Sequence, residues 1–361
     1  MRCGQLDWGG VAIEIGRRLR VARKQKELSV RKLGEIVGVS GVAVSKYERD
    51  LDIPSSGVLM RLCQALDLSL DRLFRSTAVV LSEPAYRKRS DLGVKECKAI
   101  MKAVQDKAER YSEAEELAQR HEKLKLPVLS VSDAADVEDA AKRLRSDWHL
   151  GHDAIPSMVA LLEDHEIQVV ELTAHDHFDA CALESDGRPF VVVRTGAPVD
   201  RVRFTLAHEL AHLVLQHPSG KVPEGLANRF AGAFLVPADT AVRELGEHRD
   251  HLSKVELQLL KAKYGLSMSG WIHRAADLKI ISAAENVHWQ KLRNLEGWRT
   301  DEPACGLTPE TPQRMERMVM RAYAEGEVTG THATELLGWS LEKVLGNGEG
   351  HADSLVAEPG H

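Results

Sequence analysis

Residues 205–217 read TLAHELAHLVLQH, and this stretch constrains the chain more than any other. Its apolar residues recur every three or four positions, which predicts an amphipathic helix. Residues four apart lie side by side on a helix, so His208 and His212 present their imidazole rings together, and paired imidazoles suit Zn²⁺. Glu209 is rotated from His208 by about 100° around the helix axis, so its carboxylate can reach a water on the metal without itself being a ligand.

The HExxH pattern alone does not settle the matter, because the chain holds 16 His and shuffling its sequence produces the pattern about once in sixteen trials. A catalytic zinc site keeps three protein ligands and one open position. Downstream, VPEGLANRFAGAFLVP predicts a second helix with Glu224 at its start, and the short loop before it lets this helix return beside the first. Glu224 is therefore the candidate third ligand. The alternative is that these histidines are half-buried helix residues in an inactive relative.

Three short segments before the motif have the composition of strands. They read IQVVEL, DACALE and PFVVVRT, and Asp, Gly and Pro bound them. A small sheet followed by an HExxH helix is the common architecture of zinc-dependent peptidases, whose edge strand typically holds the substrate backbone by β-addition. The sequence thus predicts a mostly α chain with a small β-sheet, an α+β fold with a zincin-like metallopeptidase domain.

The first part of the chain reads as an all-α module. Ser29 is a suitable N-cap for VRKLGEIV, Gly38 suits a left-handed helix end, and Ser40 caps GVAVSKYERD. Two helices joined by a short turn that contains Gly form a helix-turn-helix arrangement. Residues 1–75 hold 14 Lys+Arg against 9 Asp+Glu, a net +5, while the whole chain has −6. A basic module on an acidic body favours a nucleic-acid partner.

The stretch LSVRKLGEIVGVSGVAVSKYERDLDIPSSGVLMRLCQALDLSLDRLF resembles the Xre-type, lambda-repressor-like DNA-binding domain over its full length. In that family the second helix of the motif enters the major groove. The resemblance implies that Gly41, Val42 and Ser45 face base edges. It also implies that Lys46 and Arg49 reach phosphates, and that Arg31 reaches the DNA backbone or a base. Val30 stands where the family usually has Gln, and Asp50 where Gly often follows, so one usual DNA contact is missing. The alternative is a small helical domain that binds protein.

RFTLAHELAHLVLQH and EGLANRFAGAFLVP resemble the ImmA/IrrE family of metallopeptidases, and the similarity extends from about residue 140 to about 310. The resemblance implies that Zn²⁺ is bound by His208, His212 and Glu224, and that Glu209 is the catalytic acid/base. Leu226 stands where many relatives carry a second Glu, and Ala211 where Gly is common, but neither change removes a ligand. The sequence does not choose among the candidate oxyanion-stabilising residues, which are His217, Arg203 and Tyr264.

Five scattered cysteines without a CxxC pair favour a reducing, cytoplasmic location. No apolar segment predicts a signal peptide or a membrane span. We predict five segments along the chain: a helix-turn-helix domain at 1–76, a connector with a long amphipathic helix at 77–126, the metallopeptidase domain at 127–290, a helical C-terminal region at 291–346 and a disordered tail at 347–361.

The predicted function is that of a DNA-binding zinc endopeptidase that regulates gene expression by cleaving a repressor or an antitoxin-like protein. Its predicted partners are double-stranded DNA and a protein substrate. A homodimer is compatible with this interpretation, since Xre-type heads often bind DNA as dimers. The alternative is a transcriptional regulator whose peptidase fold only senses or binds a partner, in a toxin–antitoxin or phage-immunity pair.

Overall fold

The structure, a computed structural model, describes residues 15–26, 28–49, 51–66, 94–119, 126–174, 178–185, 187–298, 302–303 and 306–349, with positions 68, 70, 73, 79, 81, 85 and 86 between the earlier blocks. Helices dominate and the sheets are small, which confirms the predicted α+β class. The chain forms two compact units: residues 1–79, 109–119 and 319–361 compose the first, and residues 80–108 and 120–318 compose the second. None of the described helices is both long and apolar enough to cross a membrane.

The N-terminal part of the first unit is a small helical bundle. Its helices are α1 (Ile15–Gln25), α2 (Val30–Val37), α3 (Gly41–Tyr47) and α4 (Ser56–Leu66). The predicted caps are confirmed, because Ser29 accepts a hydrogen bond from the backbone of Lys32, Gly38 is left-handed and Ser40 accepts from Ala43. The enclosed side chains form one apolar core, which includes Leu19, Leu33, Val37, Val44, Leu62 and Leu66. The sequence also predicts a short helix at 69–74, of which only positions 70 and 73 are described.

Two glycines let α2 and α3 approach closely. A Cβ added to Gly34 would lie 2.7 Å from the carbonyl oxygen of Val39, and one added to Gly41 would lie 3.2 Å from the Cα of Arg31. Both distances are short for carbon contacts with backbone atoms. The structure therefore gives Gly41 a packing role in addition to the DNA-facing role predicted for it.

A buried ion pair connects the first helix of this bundle to the end of α3. The guanidinium of Arg23 donates to both carboxylate oxygens of Glu48, at 2.5 and 2.9 Å, and to the carbonyl of Leu28 at 2.7 Å. Both side chains are at most one-tenth exposed. Hydrogen bonding to Glu48 raises the pKa of the Arg23 guanidinium above its ordinary value. The cation is thus matched by an anion and a carbonyl, as a buried charge requires.

The second unit is built on a four-stranded sheet in the order β1-β4-β5-β3. The three predicted strands are confirmed as β3 (Gln168–Leu172), β4 (Ala180–Ser185) and β5 (Arg188–Arg194), and β1 (Ala85–Tyr86) adds a short fourth strand. β3 runs parallel to β5, whereas β4 runs antiparallel to β5. β2 (Leu129–Ser130) and β6 (Leu215–Gln216) form a separate parallel pair.

The HExxH stretch lies on α8 (Val199–Val214), which packs against β4, β5 and the next helix, α9 (Glu224–Leu235). The predicted helix ends at Val214, because the following two residues turn extended and pair with β2. The remaining helices of this unit are α6 (Ala134–Asp147), α7 (Met158–Asp164), α10 (Ala238–Leu245), α11 (Lys254–Tyr264), α12 (Met268–Asp277) and α13 (Ala283–Leu295). The apolar face of α8 lies at the centre of the large core of this unit, together with that of α9.

Glu302 and Glu310 accept hydrogen bonds from the N-termini of two helices. Glu302 accepts hydrogen bonds from the first backbone N–H groups of α12 and pairs with the buried ammonium of Lys261 at 3.2 Å. Glu310 accepts a hydrogen bond from the backbone at the start of α7 and pairs with the buried guanidinium of Arg203, on α8. A carboxylate is favourable at a helix N-terminus because the first N–H groups there have no partner within the helix.

The long amphipathic helix predicted within the connector at 77–126 is confirmed as α5 (Val94–Leu117), and residues 120–125 lie outside the described part. Apolar residues that recur along it every three or four positions are buried within the single chain, namely Ile100, Val104, Ala108, Tyr111 and Ala114.

The C-terminal region predicted as helical at 291–346 is mostly helical in the structure. It contains three helices, α14 (Arg314–Ala324), α15 (Gly330–Leu337) and α16 (Leu341–Glu349). α16 runs to Glu349, and residues 350–361 of the predicted disordered tail lie outside the described part. Ser340 accepts a hydrogen bond from the backbone of Lys343 at the start of α16.

The pair α15 and α16 repeats the local geometry of α2 and α3. Both first helices have eight residues and end at a left-handed glycine, Gly38 or Gly338, and in both pairs a serine, Ser40 or Ser340, caps the second helix. At the crossing of α15 and α16, a Cβ on Gly330 would lie 3.3 Å from the Leu341 side chain. Glycine therefore permits the close approach in both pairs, and it lies on both helices of α2 and α3 but on the first helix of α15 and α16.

We expect Glu48→Ala to destabilise the N-terminal bundle, because Arg23 would remain buried without its anion. Removing one partner of a buried pair costs about 3 kcal/mol, and amide exchange in α1 and α3 should accelerate roughly a hundredfold. Hydrogen exchange followed by mass spectrometry measures this in the full chain. Arg31→Ala is the control, since Arg31 faces Glu35 at 3.5 Å on the surface and exposed pairs contribute about 0–1 kcal/mol. Equal exchange in both variants would contradict the assigned role of the pair.

Candidate metal centre

Two neighbouring helices bring three donor side chains together. His208 and His212 lie one turn apart on α8, and Glu224 is the first residue of α9. The two Nε2 atoms are 3.2 Å apart, and the Glu224 carboxylate lies 3.2 Å from His208 Nε2 and 3.8 Å from His212 Nε2. All three donor atoms fall within 4.8 Å of one another, and within the described part of the chain they form the one such group able to hold a metal ion.

The three side chains differ sharply in exposure. His208 is 1% exposed and His212 6%, whereas the Glu224 side chain is 46% exposed. The centre is thus buried on the α8 side and opens to solvent on the side of Glu224. A centre with this form can admit a substrate while the imidazoles stay in a dry, fixed position.

The amide of Asn228 fixes the orientation of one imidazole. Its Oδ1 lies 2.9 Å from His208 Nδ1, the ring nitrogen opposite the one that faces Glu224. A carbonyl acceptor at Nδ1 holds that proton there and leaves Nε2 free to bind a metal. Sequence reasoning missed Asn228, although a signal was present, because it lies four residues after Glu224 and so on the same face of α9.

Glu209 is buried beside this group and close to the sheet. Glu209 is 1% exposed. Burial, and after it the negative charge of Glu209, raises the pKa of the Cys181 thiol to about 12. Cys181 belongs to β4, against which α8, the helix of Glu209, packs.

The donor set fits zinc better than a hard cation. Zn²⁺ accepts two imidazole nitrogens and a carboxylate oxygen, and a catalytic site leaves a fourth position open. Mg²⁺ and Ca²⁺ prefer sites made of oxygen ligands. The buried acceptor at His208 Nδ1 is also what a bound metal requires of an imidazole ligand.

Two of the three oxyanion candidates have structural partners elsewhere. The guanidinium of Arg203 is buried, pairs with Glu310 and donates to the carbonyl of Ile155 at 2.6 Å. It also fills the space over Gly265, where φ is +67° and any Cβ would overlap it. The hydroxyl of Tyr264 donates to Glu244 at 2.7 Å. His217 follows β6 in a loop and contacts Ser219, so it stays a prediction for this role.

The candidate DNA-contacting residues lie on α2 and α3, except Arg49, which lies two residues beyond the end of α3. Val42 is 68% exposed although its side chain is apolar, and Lys46 and Arg31 are also exposed. Arg49 is exposed, and its Nε donates to the carbonyl of Ser45 at 3.0 Å, which holds the guanidinium at the end of α3. Three cations and one apolar side chain of this segment are thus exposed to solvent.

Comparison with known proteins gives two family matches. Residues 14–74 match the family model described as a helix-turn-helix domain, and residues 162–275 match the model described as an IrrE N-terminal-like domain. The chain therefore carries an Xre-like helix-turn-helix domain at its N-terminal side and an ImmA/IrrE-like peptidase domain after it, which confirms both resemblances found in the sequence.

One curated relative and one solved structure support the helix-turn-helix part. Repressor protein C2 of Salmonella phage P22 is 39% identical over 61 residues, which are 17% of this chain and 28% of that protein. The chain thus spans little more than a quarter of that relative. A crystal structure of the P22 c2 repressor protein in complex with synthetic operator 9T in the presence of Tl⁺ matches at 38% identity over 18% of this chain and 96% of that one, with a TM-score of 0.17.

We expect Asn228→Ala to weaken zinc binding by about 10–100-fold, because the His208 ring loses the acceptor that orients it. Asn228→Asp keeps an oxygen acceptor at that place and should retain tight binding. Competition against a chromophoric chelator measures both affinities. Asn286→Ala, a helical asparagine that contacts Gln290, is the matched control. Unchanged zinc affinity in Asn228→Ala would exclude the orienting role.

Proposed function

We propose that this chain, which joins an Xre-like helix-turn-helix domain to an ImmA/IrrE-like domain, is a DNA-binding zinc endopeptidase that regulates gene expression by cleaving a protein. One observation carries the proposal: His208, His212 and Glu224 converge within metal-ligand distance, and Glu209 is buried beside them. The three converging side chains are the zinc ligands in this proposal, and Glu209 is the catalytic residue.

Each residue of the centre has a separate task in hydrolysis. Zinc, when bound, supplies Lewis-acid polarisation of the scissile carbonyl. Glu209 takes a proton from the attacking water and passes it to the leaving amine, as a general base and then a general acid. Its neighbour His208 points its Nε2 at the other two donors, so the carboxylate stands beside the ligand ring. Asn228 acts through His208 as a positioning residue.

The helix-turn-helix domain supplies the DNA-binding part of the proposal. A recognition helix reads base edges in the major groove while flanking cations hold the phosphates. Lys46, Arg49 and Arg31 suit the phosphate contacts, and the exposed Val42 suits an apolar contact such as a thymine methyl group. Since helix-turn-helix domains commonly read two half-sites as a dimer, we propose that two copies bind one operator.

The proposed substrate is a protein of the repressor or antitoxin-like class. The ImmA/IrrE likeness implies a protein substrate, and the N-terminal domain of this chain resembles that of a phage repressor. A peptidase with such a DNA-binding domain binds DNA near the genes that a repressor controls. Incubation of the zinc-loaded chain with proteins encoded beside it should produce one defined cut, which a chelator abolishes.

We expect Glu209→Gln to retain zinc, fold and DNA binding but to lose cleavage by about 10²–10⁴-fold, because glutamine keeps the shape and cannot move the proton. Zinc content and the rate of the defined cut are measured on the same preparation. Glu247→Gln, on an exposed loop, serves as the control. A regulatory response in cells that persists in full with Glu209→Gln would mean that hydrolysis is not the function.

We expect the double substitution Lys46→Ala with Arg49→Ala to weaken DNA binding and to flatten its salt dependence. Each lost phosphate contact should reduce the slope of log affinity against log salt by about one. Fluorescence anisotropy with duplex DNA at several salt concentrations measures the slope. Arg321→Ala, which removes an exposed cation from α14, should leave it unchanged. A double variant with wild-type slope and affinity would show that these residues do not hold phosphates.

A further inference from the structure

A cavity of about 540 Å³ lies between α6, the loop that follows it and the start of α10. Its wall carries side-chain hydrogen-bond donors, namely Lys142 and Arg145 of α6 and the imidazoles of His149 and His152 in the loop. Small-molecule sites commonly measure about 300–1,000 Å³, so the cavity has the size of such a site. None of the residues that line it belongs to the candidate metal centre.

Arg145 is the buried cation of this cavity, since the residue is 2% exposed. Its guanidinium donates to three backbone carbonyls, those of Gly151, Asp153 and Phe234, at 2.6–3.0 Å. A guanidinium has five N–H donors, and these contacts use four of them, so one N–H on Nη1 has no acceptor among the described residues. Burial lowers the pKa of the guanidinium to about 10, against a smaller opposing effect of the Asp153 charge.

The other buried cations in the described part of the chain each form an ion pair with a carboxylate. They are Arg23, Arg203, Lys261, Arg274 and Arg314. Arg145 has no carboxylate at ion-pair distance among the described residues. A buried charge without an opposite charge beside it is unfavourable. An anion bound in the cavity would supply the missing partner.

The start of α10 adds backbone donors to the same wall. Pro237 is the N-cap of this helix and accepts no hydrogen bond through its side chain. Ala238 and Asp239 follow it, and both line the cavity. The first N–H groups of a helix have no acceptor within the helix, and they favour a negative charge. Backbone donors and a buried guanidinium therefore line one cavity.

Lys142 is a third donor, and its present ion pair is weak. Its ammonium lies 3.7 Å from the carboxylate of Asp239, and the two side chains are 73% and 63% exposed. Exposed ion pairs contribute little to stability, so a ligand anion can replace this carboxylate beside the ammonium. Two more carboxylates line the cavity. Glu138 is paired with Arg274, and Asp139 is exposed to solvent, which screens its charge.

We propose that this cavity binds a small molecule through a phosphate group, which Arg145, Lys142 and the first N–H groups of α10 hold. A phosphate has several acceptor oxygens around one centre, so side-chain and backbone donors can bind it together. The remaining volume accommodates the organic part of the ligand beside Ala233 and Pro237. The site is independent of the proposed peptidase function, because it uses no residue of the metal centre.

Calorimetric titration of the full, zinc-loaded chain tests this site. The probes are inorganic phosphate, adenosine 5′-monophosphate and adenosine, of which the last matches the second but lacks the phosphate. We expect both phosphate-bearing probes to bind and adenosine not to bind, because the charged donors of the cavity then have no anion to hold.

We expect Lys142→Glu to weaken binding of both phosphate-bearing probes at least about tenfold, because it replaces an attractive charge with a repulsive one. Lys291→Glu makes the same charge change at an exposed position on α13 and should keep the wild-type affinity.

Pro237→Asp should also weaken binding of these probes, because an aspartate at the N-cap accepts the N–H groups that the phosphate would use. Aspartate is a favourable N-cap residue, so the melting temperature of this variant should not fall. A loss of affinity without a loss of stability separates a binding role from a folding defect.

Four results would overturn the inference. The first is that neither phosphate-bearing probe binds the wild-type chain. The second is that adenosine binds as tightly as its monophosphate, since the phosphate would then not be recognised. The third is unchanged affinity in both Lys142→Glu and Pro237→Asp, which would place the bound phosphate elsewhere on the chain. The fourth is an equal loss of affinity in Lys291→Glu, which would reduce the effect to the overall charge of the protein.

Discussion

The second unit is organised around α8, a helix that is buried on most of its surface and also carries polar side chains. α8 lies between the sheet and α9, and its apolar residues lie in the core of this unit. His208, Glu209 and Arg203 are buried on the same helix. Buried polar groups need partners, and Asn228, Glu224 and Glu310 provide them for the imidazole and the guanidinium. The positions of α9 and of the segment 302–313 therefore follow from the polar residues of α8.

Local signals in the sequence were sufficient for the central helices, the three longer strands and the group of candidate ligands. Period-2 and period-3.6 patterns depend on neighbouring residues, and the i, i+4 spacing of His208 and His212 fixes their relation once the helix forms. The caps at Ser29 and Ser40 were equally local. The site residues keep the roles proposed for them above, since geometry alone assigns no activity.

Features that depend on distant residues were not predictable in the same way. The pairing of Ala85–Tyr86 with β4 joins positions about a hundred residues apart, and neither segment indicates the other. The structural roles of Arg203 and Tyr264 depend on Glu310 and Glu244, so both residues looked available for catalysis in the sequence. Asn228 is an intermediate case. The sequence shows that it lies four residues after Glu224, but it does not indicate the contact with His208.

The contact between Arg203 and Gly265 has a consequence for natural variation in this fold. The guanidinium fills the space where a side chain at 265 would extend, and the backbone there has a positive φ. A larger residue at 265 is tolerated only after residue 203 shortens, and the loss of Arg203 would leave Glu310 buried without its cation. Positions 203, 265 and 310 should therefore covary as a set in divergent sequences. Sequences in which Arg203 is replaced should have a neutral residue at position 310. At position 265, asparagine should be the commonest substitute for glycine, because asparagine tolerates the left-handed conformation.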